Sequence, residues 1–143
     1  GTLPPRRKPK SAMLDAFDLE VLDRDECIAL LGTVEVGRVV FTTRGLPAVE
    51  PVKYVVCGGS VWFAAQARTD LFGSAHGVVG FEVDAFDANL RTGWWVTVLG
   101  RASATTECDL PRRRPELSWR LPLAADVRCV RIPIEVVSGR RVA

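Results

Sequence analysis

Val36-Gly-Arg-Val-Val-Phe-Thr-Thr43, the turn Arg44-Gly-Leu-Pro47, the run from Ala48 to Cys57, and Gly58-Gly59 leading into Ser60-Val-Trp-Phe-Ala-Ala65 together decide the fold. Short runs of β-branched and aromatic residues punctuated by turns are the signature of an antiparallel sheet or barrel. Paired glycines tolerate the positive φ of a tight hairpin, so three consecutive antiparallel strands follow. Downstream, Val78-Val-Gly-Phe-Glu-Val-Asp84 reads as a fourth strand. The run from Trp94 to Thr106 is long enough for a fifth strand that bends at Gly100. Val127–Ile132 and Glu135–Val137 give a last strand, interrupted by Pro133, which confines that position to an edge or bulge.

Helices are few. Asp23 as N-cap, Glu26 three residues later, apolar Ile28, Leu30 and Leu31, and a stop at Gly32 predict a helix over 23–31 that covers one end of a sheet. Thr69 to His76 reads as a short helix capped by Thr69, weakened by about 1 kcal/mol at Gly73. Residues 107–126 carry Pro111, Pro115 and Pro122 and read as a connection with at most a short helix around Glu116–Arg120. The expectation is six strands and two or more short helices in a mainly β barrel.

The 143 residues, 48% of them hydrophobic, suffice for one compact domain that needs no disulfide. Prolines and charge in residues 1–10 predict a flexible arm that is basic at first and acidic later, over 1–22, ahead of a domain over 23–143. A net charge of +2 is far below that of a dedicated nucleic-acid binder, although residues 111–143 carry eight Arg against three acids. No apolar run reaches the ~20 residues of a membrane span and no signal peptide is legible, so a cytoplasmic protein is expected. Cys27, Cys57, Cys108 and Cys129 lack Cys-x-x-Cys spacing and have only His76 beside them, so reduced thiols and no metal site are expected.

Catalytic groups are thin. His76 reads as a helix-end residue, and neither a Gly-x-Ser-x-Gly elbow nor a phosphate-loop or dinucleotide glycine fingerprint occurs. Trp62, Trp94, Trp95 and Tyr54 could stack on bases, but the sparse and alternating charge favours packing roles.

Leu31-Gly-Thr-Val-Glu-Val-Gly-Arg-Val-Val-Phe41, Pro51-Val-Lys-Tyr54, Gly58-Gly-Ser-Val-Trp-Phe63, Gly77-Val-Val-Gly-Phe-Glu-Val-Asp84 and Thr92-Gly-Trp-Trp-Val-Thr-Val-Leu-Gly-Arg101 occur in an order that resembles the pyridoxamine 5'-phosphate oxidase-like family of flavin-binding split barrels. The closing Ser138-Gly-Arg-Arg-Val142 resembles the end of its actinobacterial-type members. The resemblance spans about residues 23–142 and implies a six-stranded antiparallel split β-barrel. It also implies a homodimer holding FMN, or in some branches a deazaflavin coenzyme, between subunits and passing hydride to or from a small-molecule substrate. Such a cofactor carries the reaction itself, so a chain without a catalytic triad can still be an enzyme.

On the family pattern, Pro51, Val52, Lys53 and Tyr54 run beside the ring system, with Lys53 in place of an asparagine. The phosphate-clamping Arg and Lys of the pattern fall on Ala64 and Asp70. Two lost charge-assisted bonds cost roughly 3–6 kcal/mol of phosphate affinity. Arg68, Lys53 and the Thr69 backbone are left to meet an anion. Trp94 matches the family tryptophan, whereas Trp95 stands at a usual serine and either fills the groove or walls a ligand. The cofactor contacts expected are therefore Lys53, Tyr54, Ala65, Arg68, Thr69 and Trp94, with Arg140 and Arg141 reaching across from the partner. The competing expectation is a degenerate dimer that has lost flavin and serves as a binding module. A haem-like planar ligand, with His76 as nitrogen donor, is a third.

Overall fold

A computed structural model describes residues 13–66, 77–105 and 127–142. In chain order the elements are β1 (Glu20–Val21), α1 (Arg24–Leu31), β2 (Val36–Thr43), β3 (Leu46–Lys53), β4 (Val55–Cys57), β5 (Ser60–Gln66), β6 (Val78–Phe86), β7 (Gly93–Arg101), β8 (Ser103–Thr105), β9 (Val127–Pro133) and β10 (Val136–Val142). They make two antiparallel sheets, one ordered β1-β10-β7-β6-β2-β3 and the other β4-β5-β9-β8. The mainly β expectation holds, but the strands number ten among the described residues, not six. Three of the expected strands are each divided where the chain leaves one sheet for the other, at Tyr54, at Ala102 and at Ile134–Glu135.

Strict alternation builds the core. Val39 and Phe41 of β2, Phe81 and Val83 of β6, and Val96 and Val98 of β7 are buried, as are Val61 and Phe63 of β5 and Val130 and Ile132 of β9. All belong to one apolar cluster. Period-2 side-chain direction places them on one face of each sheet. The sheets meet over that face, and the three crossings are the corners at which the chain passes around it.

Tyr54 fixes the first corner. Its amide donates to Glu35 O at 3.3 Å, its ring meets Phe81 edge-on at 4.8 Å between centroids, and its hydroxyl donates to Leu31 O at 2.5 Å. Burial pushes the phenol pKa up. The acceptor is a carbonyl at the end of α1, which has no intrahelical partner of its own. Tyr54→Phe is expected to cost about 1–3 kcal/mol, the penalty for a buried group left unpaired, measurable by urea denaturation. No loss of stability in that variant would remove the hydroxyl from this role.

The turns follow their residues. Gly58 and Gly59 have φ of 59° and 73° and close the β4–β5 hairpin as expected. The preceding turn is tighter than expected: Arg44 (φ 52°) and Gly45 (φ 78°) alone connect β2 to β3, so Leu46 and Pro47 are already in the strand. Pro47 and Pro51 are tolerated there because β3 is an edge strand with β2 as its one neighbour. The bend expected at Gly100 comes two residues later, at Ala102. Gly100 serves a different end: a Cβ there would lie 2.1 Å from Pro133 O, so only glycine lets β7 approach the third corner.

Helix α1 starts as read, with Asp23 Oδ1 accepting from Glu26 N at 2.8 Å, and stops at Gly32. Cys27 and Leu31 are buried, and Cys27 Sγ packs closely over Gly139. The expected helices over 69–76 and 116–120 lie outside the described residues.

Residues 13–22, expected to be part of a flexible arm, include β1, which pairs with β10 through Glu20↔Arg141 and Val21↔Arg140. Asp15 organises the turn before it, accepting from the amides of Phe17 (2.8 Å) and Leu19 (3.0 Å) and from Arg140 Nε at 3.0 Å. The Leu19 amide is the main reason its carboxyl is held below the ordinary range. What this lowering contributes is present at neutral pH and lost as pH falls through the depressed folded value. Residues 17–21 are accordingly expected to lose protection from amide exchange, relative to the intrinsic rate at each pH, before the rest of the sheet on acidification.

Cys27 is free and buried, and Cys57 free and exposed. Contrary to the expectation of reduced thiols, Cys129 is disulfide-bonded.

Candidate functional site

Strand alternation separates Trp94 from Trp95. Trp94 pairs with Ala85 and Arg141 on the core side of the six-stranded sheet, half-buried and packed on the core cluster. Trp95 pairs with Asp84 and Arg140 on the opposite side and stacks on Phe86, with centroids 6.4 Å apart. Trp62 is on the other sheet, bonded through Nε1 to Cys57 O, with the Arg131 guanidinium 5.9 Å from its ring centroid. The four rings therefore share no common platform, in keeping with packing roles.

The residues expected at a cofactor fall in three places. Lys53, half-buried, ends β3 opposite Val36, and Tyr54 follows it with its side chain inside the core. Ala65 is on β5, packed against the core and directly opposite Arg128 of β9. Trp94 and Arg141 are side-by-side partners on β7 and β10. Arg140 and Arg141 are both engaged within their own chain. Arg140 pairs with Asp15 at 3.0 Å, and Arg141 Nη1 is 3.3 Å from both oxygens of the buried Glu20. Arg68, Thr69, Asp70 and His76 lie outside the described residues.

Ala64 is opposite Cys129 on β9, which faces Thr105 of β8, so that row of the four-stranded sheet holds no cation. The neighbouring row brings Arg128 to Ala65. Nothing local in the sequence signals Arg128, because the register that joins residues 65 and 128 is set by strand pairing.

A second feature is the exposed side of the six-stranded sheet. Val36 and Val40 of β2, Val49 of β3, Val78 of β6, Leu99 of β7 and Val136 of β10 are between 37% and 58% exposed, although valine and leucine at such positions normally face a core. Cross-strand pairing puts Val40 beside Val49 and Gly80, Gly80 beside Leu99, and Leu99 beside Val136. One apolar surface thus runs across five strands.

Its middle is charged. Arg38 Nη1 lies 3.4 Å from Asp84 Oδ2 and 3.8 Å from Glu82 Oε1. Burial, followed by a hydrogen bond and charge repulsion from Asp84, pushes Glu82 up to about 7 against the pull of Arg38. The folded value exceeds the ordinary 4.5, so the folded state holds a proton the unfolded chain has released, and stability falls as pH rises from 4.5 through about 7. Glu82 is a third exposed, so solvent screening reduces the effect to about 1 kcal/mol. Glu82→Gln is expected to raise stability by that amount at pH 8 and to change nothing at pH 4, as two denaturation series would show.

A family model described as pyridoxamine 5'-phosphate oxidase matches residues 23–141. The chain belongs to this family. It is 37% identical to an uncharacterized protein of Mycobacterium tuberculosis, over 96% of this chain and 91% of that one. Among solved structures, an FAD-binding protein from Mycobacterium smegmatis superposes with a TM-score of 0.64 at 29% identity, covering 85% of this chain and 96% of that chain. An FAD-binding protein from Mesorhizobium loti, at 22% identity and a TM-score of 0.69 over 87% of this chain and 99% of that one, shares the fold. Among the described residues of this family member, no helix is long and apolar enough to cross a membrane, and no group of three or more His, Cys, Asp or Glu could hold a metal ion.

Proposed function

We propose that this family member is a flavin-binding oxidoreductase acting on a small molecule, built as a split barrel that works as a homodimer. The observation that carries the reading is the likeness, over 85% of this chain, to the M. smegmatis FAD-binding protein at 29% identity. A bound flavin supplies hydride transfer at its ring; the chain supplies orientation, shape and charge.

The residues present fit such a group in part. Ala65 gives β5 a small side chain beside its cross-strand partner Arg128, so Arg128 offers the anion a cation on the face opposite the one to which Ala64 points. Lys53, at the end of β3, is a second cation, and Arg68 and Thr69 complete the anion side. Trp94 contributes an aromatic wall. Tyr54 acts by holding the corner from within, and Arg140 and Arg141 by tying down the N-terminal hairpin.

The second subunit covers the apolar side of the six-stranded sheet. Five strands of about eight residues span roughly 600 Å² of flat sheet, more with side-chain relief, which approaches the ~800 Å² per partner of a stable interface.

The purified protein tests this directly. Incubation with FAD, FMN and a deazaflavin coenzyme is expected to give flavin absorbance and to stabilise the fold by about 2.7 kcal/mol at a hundred times Kd for the preferred one, several degrees in Tm. Arg128→Ala is expected to weaken that binding about ten- to a hundredfold. Colourless protein whose Tm none of the three raises would favour the other reading, a dimeric binding module, which the cation-free row at Ala64 supports.

A further inference from the structure

The Arg38–Glu82–Asp84 cluster lies in the middle of the side of the sheet assigned above to a second subunit, and the inference rests on that assignment. Glu82 Oε1 is buried and has no hydrogen-bond partner, between Arg38 of β2 and Thr97 of β7. Two residues apart on one strand, Glu82 and Asp84 put their carboxyls on the same face, both beside Arg38 Nη1, at 3.8 and 3.4 Å. Few charged groups face the pair. From β2 comes Arg38, with its side chain 51% exposed and thus a weak screened partner. From β7 come Thr97 and Trp95, opposite Glu82 and Asp84 respectively. From β10, across Trp95, comes Arg140, already paired with Asp15. Lys53 and Arg101 sit further away at the ends of the surface, opposite Val36 and Val78.

In a two-fold interface the same surface meets itself, so a second copy brings a second pair of carboxyls and a second Arg38. Four carboxyls against two half-exposed guanidiniums leave an excess of acid. Closing the seam removes the water that now reaches Asp84 and Glu82, whose side chains are 29% and 33% exposed. Two unscreened carboxylates side by side oppose that closure; one proton per chain on Glu82 permits it. We propose that the two copies join through this side of the sheet only when Glu82, beside Asp84, holds a proton in each chain, so that dimerisation takes up protons and Glu82 sets its pH range.

Sedimentation equilibrium from pH 6 to pH 8.5 tests this on the whole chain, with Glu82→Gln, Asp84→Asn and Val40→Lys compared with the parent and folding followed by circular dichroism. The dimer Kd is expected to be flat near pH 6 and to rise at least tenfold between pH 7.5 and 8.5. Glu82→Gln, which offers an amide donor to Asp84 at any pH, is expected to flatten that rise and to give the tighter dimer at pH 8.5, and Asp84→Asn to behave in the same way. Val40→Lys is expected to leave folded monomers. A dimer with the same Kd at every pH, or one whose pH dependence survives in both carboxamide variants, overturns the proton linkage while leaving the dimer intact. A monomer at every pH in the parent and both carboxamide variants overturns the dimer itself, and the linkage with it.

Discussion

Replacing Phe81 by alanine is expected to lower the free energy of unfolding by about 3–5 kcal/mol in chemical denaturation. Phe81 is fully buried at the middle of β6, in the sheet that carries both Trp94 and the apolar outer surface. Its ring meets Tyr54 edge-on, and its far edge lies over Gly37, where a Cβ would come within 2.3 Å of it. No side chain at position 37 can therefore grow into the space its loss would leave. Tyr54 would lose its aromatic neighbour at the first corner, so the effect should extend beyond the cavity to the crossing between sheets. A loss under 1 kcal/mol would mean that the two sheets close over the gap, and that Phe81 is not the hub this packing makes it.

Arg141→Ala is the second large effect, about 3 kcal/mol, because it leaves Glu20 buried without its partner. Glu20 has a side chain only 5% exposed and Arg141 one only 18% exposed. Their pair fastens β1 to β10, opposite Trp94. The informative control is the double variant Glu20→Gln with Arg141→Met, which removes both charges and is expected to recover most of the loss, since a buried pair replaced as a unit is often close to neutral. Flavin affinity measured on the same proteins distinguishes the two roles given to Arg141. Reaching across to the partner's cofactor predicts a large loss of affinity at little cost in stability; fastening the N-terminal hairpin predicts the reverse.

Part of the candidate site was legible in the residues. The opposite directions of Trp94 and Trp95 follow from their adjacency in a strand, whatever the fold. The absence of a cation at Ala64 is likewise a fact of sequence. The N-terminal hairpin was not legible: Asp15 and Glu20 read as part of the acidic section of a flexible arm because their partners, Arg140 and Arg141, lie more than a hundred residues away. The disulfide at Cys129 was not legible either, since cysteine spacing does not fix pairing.

Strand composition, paired glycines and the Asp23 cap act within a few residues, so the sequence by itself determined the β runs, the Gly58-Gly59 hairpin and helix α1. Which run divides between two sheets, that Arg128 comes to face Ala65, and that Glu82 lies half-buried beside Arg38 were decided only by the tertiary structure. Those features depend on strand register and on where the chain turns around a shared core. Both are set by the packing of residues far apart in the chain, such as Phe81 against Tyr54 and Gly100 against Pro133, and no local preference encodes them.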